Sequence, residues 1–130
     1  MKIPFYKYQG AGNDFILVDN RELVRDHNQP ALIARLCDRR FGVGGDGIMF
    51  LQDREGYDFE MVYYNADGQP SSMCGNGGRC IVAFARFLGV IGNQTDFLAV
   101  DGPHHATISA KGDWVSLRMI DVNQLSRDEE

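Results

Sequence analysis

The chain has 130 residues, 44% of them hydrophobic and 24% charged, with a formal net charge of -5. This excludes a disordered chain and fits one domain long enough to bury its own core. The acidic balance argues against a nucleic-acid or membrane binder, either of which calls for a basic surface.

Ile3–Tyr8 alternates weakly and reads as a first strand. Phe15–Asp19 (FILVD) is a second, short and apolar, after a Gly-rich turn at Gly10–Asn13. A helix is expected from Pro30, a residue suited to a first turn, with Asn28 as cap. Leu32, Ile33, Leu36 and Cys37 share its apolar face, and Gly42–Gly47 ends it. Ile48–Leu51 and Asp58–Tyr64 read as strands paired through a turn at Glu55–Gly56, and Ala66–Gly68 as a turn. A second helix is expected from Gly75 to Leu88, stopped by Gly89. From Cys80 to Leu88 it is apolar nearly all round, broken only by Arg86, so other structure should wrap it. Phe97–Val100, His105–Ala110 and Trp114–Val122 complete the strands, the last two joined by a hairpin turn at Lys111–Asp113. About seven strands, mostly in hairpins, and two helices make an α+β domain with a curved sheet around one buried helix. Residues 1–122 form the domain; 123–130 are polar and read as a linker or truncation point.

Three cysteines are too few for a disulfide framework, and Lys7 and Gln9 break any signal-peptide core. No apolar run reaches membrane-spanning length. The expected compartment is a reducing cytoplasm, where thiols stay free.

The most informative stretch is SMCGNGGRC, Ser72–Cys80. Cys74 stands directly before a helix whose first turn is Gly75, Asn76, Gly77 and Gly78. Each glycine costs a helix about 1 kcal/mol against alanine, so something must offset three of them. Glycine leaves N–H groups uncovered and lets a ligand approach the backbone. A helix N-terminus offers free donors and partial positive charge, which favours a carboxylate guest and a thiolate neighbour. An isolated Cys-Gly pair reads as a buried small residue and a turn. The whole pattern favours a reactive thiol beside an anion cradle.

Cys80 lies about 9 Å further along the helix and points elsewhere, which suits core packing. Cys37 falls on the apolar face of the first helix. Neither spacing, with His104 and His105 added, makes a zinc site, so no metal is expected. Gly42–Gly47 superficially fits a dinucleotide fingerprint, but it follows a helix and precedes a strand, the reverse of the required order. Close backbone packing near a site explains it better. Asn13 reads either as a turn residue or as a ligand amide, and Asn65 as part of an Asp-Gly turn or as a donor to the same ligand. Arg79 and Arg86 are expected to pair with carboxylates, and Asp19 and Asp53 to be solvated. Two rival classes remain: a cysteine hydrolase with His104 or His105 as base, and a non-catalytic carboxylate-binding module.

Taken together, GAGNDFILVD (Gly10–Asp19), DRRFGVGGDGIMFL (Asp38–Leu51), YYNADGQPSSMCGNGGRC (Tyr63–Cys80) and AFARFLG (Ala83–Gly89) resemble the diaminopimelate epimerase family. The related proline racemases and phenazine-biosynthesis isomerases share the fold class and part of the Cys-Gly motif, but lack the GAGNDF and NADG segments as a set. The resemblance implies a curled, mixed, mostly antiparallel sheet wrapped around a central helix, one of two similar domains. It implies interconversion of LL- and meso-diaminopimelate, on the route to lysine and peptidoglycan, with no cofactor. By position, Asn13 and Asn65 would bind substrate, Cys74 would be one acid/base, and Gly75 and Asn76 would hold the α-carboxylate. Some members carry a glutamine where this chain has Gly47, so any contact there would run through backbone. The family's second thiol lies in its second domain, which makes this chain alone an inactive half-site. The implied partners are the small-molecule substrate, that second domain and, as an open question of assembly, a homodimer. A proline-racemase-like isomerase is the alternative within the same chemistry.

Overall fold

The computed structural model describes residues 5–10, 12–21, 29–71, 75–110 and 115–119. Among them the order is β1 (Tyr6–Gly10), β2 (Asn13–Asp19), α1 (Pro30–Cys37), β3 (Gly47–Gln52), β4 (Phe59–Asn65), α2 (Gly75–Phe87), β5 (Gln94–Ala99), β6 (Gly102–Ile108) and β7 (Val115–Met119). The seven strands form one sheet in sequence order. β2–β3 and β4–β5 are parallel, and the other four neighbouring pairs are antiparallel. A parallel pair needs a crossover. α1 supplies the first and α2 the second, while the antiparallel pairs β1–β2, β3–β4, β5–β6 and β6–β7 are consecutive in sequence.

Alternation along the strands decides which face each helix covers. Phe15, Leu17, Met49, Leu51, Phe59 and Met61 pack with Cys80, Ile81, Val82, Phe84 and Ala85 of α2. The intervening Ile16, Val18, Ile48, Phe50 and Tyr64 pack with Ile33 and Cys37 of α1. α2 contacts β1 and β2 at one edge of the sheet and β6 and β7 at the other. The sheet therefore curls around α2, as the all-round apolar stretch of that helix requires. Both faces of β2 and β3 are buried, so these strands read as continuous apolar runs.

The helix ends have local causes. Pro30 opens α1, and Gln29 in the cap position makes no side-chain capping bond; Asn28 lies outside the described residues. At the other end the glycine run folds back on the helix. Gly44 N–H donates to the Leu36 carbonyl at 2.9 Å and Gly45 N–H to that of Cys37 at 3.1 Å. A Cβ on residue 42 would stand 2.0 Å from the Arg35 carbonyl oxygen, so this run is the close backbone packing its sequence context favours. α2 ends at Phe87 and is stopped by Gly89, whose φ of 79° lets its N–H reach the Arg86 carbonyl while Val90 N–H reaches that of Ala85. The first strand is displaced from its expected span to Tyr6–Gly10, residues 1–4 lying outside the described set. The Lys111–Asp113 turn and residues 120–130 also lie outside it, although β6 and β7 do pair as a hairpin.

Candidate active site

Register carries the expected site residues to one end of the sheet. Asn13 opens β2 opposite Gly10, Phe15 lies beside Gly47, and Gly47 lies opposite Asn65, the last residue of β4. By alternation Asn13, Gly47 and Asn65 share the inner face with Phe15 and Met49, the face that holds α2. The N-terminus of α2 meets Asn13 there. Asn76 Nδ2 donates to Asn13 Oδ1 at 2.8 Å across 63 residues of sequence. Gly10 approaches the same turn: a Cβ on it would lie 3.3 Å from Cys80 Sγ and 3.6 Å from the Asn76 carbonyl oxygen. Asn13 and Asn76 are thus bonded at the end of the sheet where Gly47 and Asn65 also pair. Gly75 begins α2 and is exposed, and Asn76 is half-buried. Cys74 lies outside the described residues.

The glycines of α2 divide. Gly77 and Gly78 are buried, so the open part of the helix start is confined to Gly75 and Asn76. The Arg79 guanidinium lies beside Gly75, where an added Cβ would stand 3.2 Å from its Nη1.

Behind Asn13 runs a charged network that the sequence reading missed. Asp46 Oδ2 accepts from Asn13 Nδ2 at 3.2 Å and from the Asp14 N–H at 3.0 Å. Arg39 donates to both oxygens of Asp14, at 2.6 and 3.0 Å, and to Asp46 Oδ1 at 3.0 Å. Lys7 donates to Asp14 at 2.8 Å and to the Gly44 carbonyl. Arg39 and Lys7 hold the Asp14 carboxyl well below the usual carboxylate range, and Asp14 holds the Arg39 guanidinium still more firmly protonated. The backbone of Asp46 also bridges strands: its N–H donates to the Asp14 carbonyl at 2.8 Å, and its carbonyl accepts from Ala66 N–H at 3.2 Å. The signal available in sequence was the pair of acids, Asn-Asp-Phe and Gly-Gly-Asp-Gly, inside otherwise turn-like runs.

The remaining candidates are structural. Cys37 and Cys80 are buried and outside any disulfide, one in each core layer, and burial pushes the Cys37 thiol up. His104 is fully buried, bonded through Nε2 to Asp101 at 2.9 Å and stacked on Phe97. His105 Nδ1 bonds to Asp96 at 2.7 Å. His104 sits in the row of Phe97 and Phe59, six residues down β4 from Asn65. At about 3.3 Å per residue this is about 20 Å from the mouth, which leaves the hydrolase reading without a base there. Arg86 departs from its expected carboxylate pairing. It donates to Asn93 Oδ1 at 2.8 Å and to the Ser109 and Ala110 carbonyls, closing the end of β6. Asp19 is not simply solvated either: two Arg21 nitrogens pair with it at 2.7 and 2.9 Å and lower its carboxyl.

A family model described as diaminopimelate epimerase matches residues 5–124. The diaminopimelate epimerase of Flavobacterium psychrophilum is 55% identical over 124 residues, 95% of this chain and 48% of that protein. That of Synechococcus sp. strain JA-3-3Ab is 51% identical over 94 residues, 72% of this chain and 33% of that protein. The chain thus spans half or less of the length of these relatives. Among solved structures, a probable proline racemase from Agrobacterium radiobacter K84, crystallised with bound carbonate, superposes with a TM-score of 0.66 at 15% identity. The match covers 92% of this chain and 42% of that one, and speaks to the fold alone.

Proposed function

The chain belongs to the diaminopimelate epimerase family, and on that premise we propose that the protein interconverts LL- and meso-diaminopimelate at the mouth where the start of α2 meets the start of β2, beside the paired ends of β3 and β4. The observation that carries this reading is the 2.8 Å bond between Asn76 and Asn13. It joins the turn directly following Cys74 to the start of a strand 63 residues away, and both amides lie where a small polar substrate can reach them.

Inverting a Cα needs a base on one face and an acid on the other. Cys74 supplies one of these as thiolate or thiol, favoured in the charged form by the helix start beside it. Gly75 and Asn76 hold the α-carboxylate through N–H donors, which also stabilise the charge that develops when the α-proton leaves. Asn13 and Asn65 bind polar groups of the substrate, and Gly47 offers only backbone. Cys37 and Cys80 are committed to the two core layers. The family resemblance gives the opposing thiol to a second domain of the same enzyme, and the first relative runs to about twice the length of this chain. A reducing cytoplasm suits this thiol chemistry, and no helix among the described residues is long and apolar enough to cross a membrane. Homodimerisation is a separate point, decided by the mass of the full-length protein in solution.

The test is proton exchange. Full-length protein incubated with LL-diaminopimelate in D₂O should place deuterium at Cα and yield the meso isomer, and Cys74→Ala should abolish both. Enzymatic epimerisation by the Cys74→Ala variant, or by residues 1–130 alone, would contradict the two-thiol reading.

A further inference from the structure

We propose that Asp46 is a positioning residue, fixing through Asn13 which way the Asn76 amide faces at the start of α2. What the amides hold rests on the epimerase reading above; their orientation does not.

The argument is one of donors and acceptors. An ionised carboxylate only accepts, whereas an asparagine amide has a donating and an accepting end of nearly the same shape. Asp46 Oδ2 meets Asn13, so the end of Asn13 facing it must be Nδ2. That choice turns Asn13 Oδ1 toward Asn76, and Asn76 must then present its own Nδ2. Rotating either amide by half a turn would break the sequence. A flipped Asn13 would set a carbonyl oxygen against the Asp46 carboxylate and an N–H against the Asn76 N–H. Asp46 therefore decides both orientations, although it lies on the α1–β3 connection, not on the strand or helix whose amides it orients. Among the described residues, one N–H of each amide remains beyond these two bonds, which suits an anionic group at the mouth.

Asp46 is itself held from several sides. Asp14 N–H donates to the same oxygen that faces Asn13, and Arg39 donates to the other. Its backbone is tied to β2 through the Asp14 carbonyl and to the turn after Asn65 through Ala66 N–H. The carboxylate thus stands at a fixed point between three segments of the mouth. A simple ion pair would not require this arrangement, because Arg39 already has both oxygens of Asp14.

Asp46→Asn keeps the shape and removes the rule, since an amide at 46 can either donate or accept. In full-length protein labelled with ¹⁵N, the side-chain NH₂ signals of Asn13 and Asn76 should split or broaden. For diaminopimelate, kcat should fall about 10- to 100-fold with KM rising by less than about 5-fold, the pattern of a misplaced contact. Adding Asn13→Asp exchanges the two groups: a carboxylate at 13 accepts from both neighbours and should return the Asn76 signals to a single set. Unchanged Asn76 signals in the Asp46→Asn variant overturn the inference, as does a changed spectrum with kcat/KM within about twofold of wild type. If the wild-type protein does not epimerise diaminopimelate, the functional reading fails, and the amide signals alone decide the role of Asp46.

Discussion

Gly47→Ala should destabilise the fold, for a reason specific to this sheet. Residue 47 is in ordinary extended backbone, so no left-handed conformation demands glycine there. The constraint is space. An added Cβ would lie 2.5 Å from Tyr63 Cε1 and 2.7 Å from the Tyr64 carbonyl oxygen. Carbon pairs prefer about 3.5 Å or more, so the ring must withdraw by about 1 Å. Tyr63 packs edge-on against Phe15 in the inner layer, and the Tyr64 carbonyl belongs to the strand opposite, so neither yields freely. Overpacking of this kind costs about 1–3 kcal/mol. The alanine recovers about 0.4–1 kcal/mol by restricting the unfolded chain. A net loss of about 1–2 kcal/mol follows, or about 3–10 °C in Tm for a domain of this size. Urea unfolding of Gly47→Ala, Tyr63→Ala and the double variant separates the two clashes. The pair should couple by about 0.5 kcal/mol or more, because losing the ring relieves one contact and leaves the carbonyl. A Gly47→Ala protein as stable as wild type, or strictly additive losses in the double variant, would refute the steric account.

Gly68 and Gly56 have almost the same φ, +87° and +88°, but a Cβ at 68 would stand 2.2 Å from the Pro30 carbonyl oxygen while 56 is open. Gly56→Ala should cost about 1–2 kcal/mol for conformation alone and Gly68→Ala clearly more, and equal losses in thermal unfolding would contradict this. Phe84→Ala removes a fully buried ring from the α2 layer and should cost about 3–5 kcal/mol in chemical denaturation. Asp14 and Asp19 have folded-state carboxyls below their unfolded values, so their stabilisation is present above about pH 4 and lost as the pH falls below it. The urea midpoint should drop on acidification, and Arg39→Gln should lose more at about pH 6 than at about pH 2.5; equal losses at the two would count against the Asp14 pairing.

Much of this fold is legible because its patterns are local. The all-round apolar run of α2 announces a wrapped helix, and Phe15–Val18 is apolar throughout because both faces of that strand are covered. Glycines at helix ends mark their own positions through φ and close contact. What is not local is not legible. Nothing in the strands says that β4 takes β5 as a parallel neighbour over only Phe59 and Glu60, which leaves the far end of β4 to the site. β2 also begins earlier than its apolar run, because Asn13 and Asp14 pair with Gly10 and Gln9 although their side chains suit a turn.

That last discrepancy falls at the mouth proposed as the site. Asn13 and Asp14 contradict strand patterning, and Asp46 sits in a glycine run where a solvated turn residue would serve as well. Each has partners 25 to 63 positions away: Arg39 for Asp14, Asp46 and Asn76 for Asn13, Asn13 and Asp14 for Asp46. Local propensity fails where a residue is selected for a distant contact, and such failures cluster at functional sites. The start of α2 was readable because helix physics acts within one turn. The network that orients its Asn76 amide was not, because its bonds exist only once the sheet has closed. The two kinds of information are therefore complementary: helix chemistry points to the proposed site, and the misfits of strand pattern identify the residues that hold its amides in place. By that criterion Asp46, which the local pattern explains least and three segments of the mouth share, is the residue whose side chain most needs the rest of the fold to have a role.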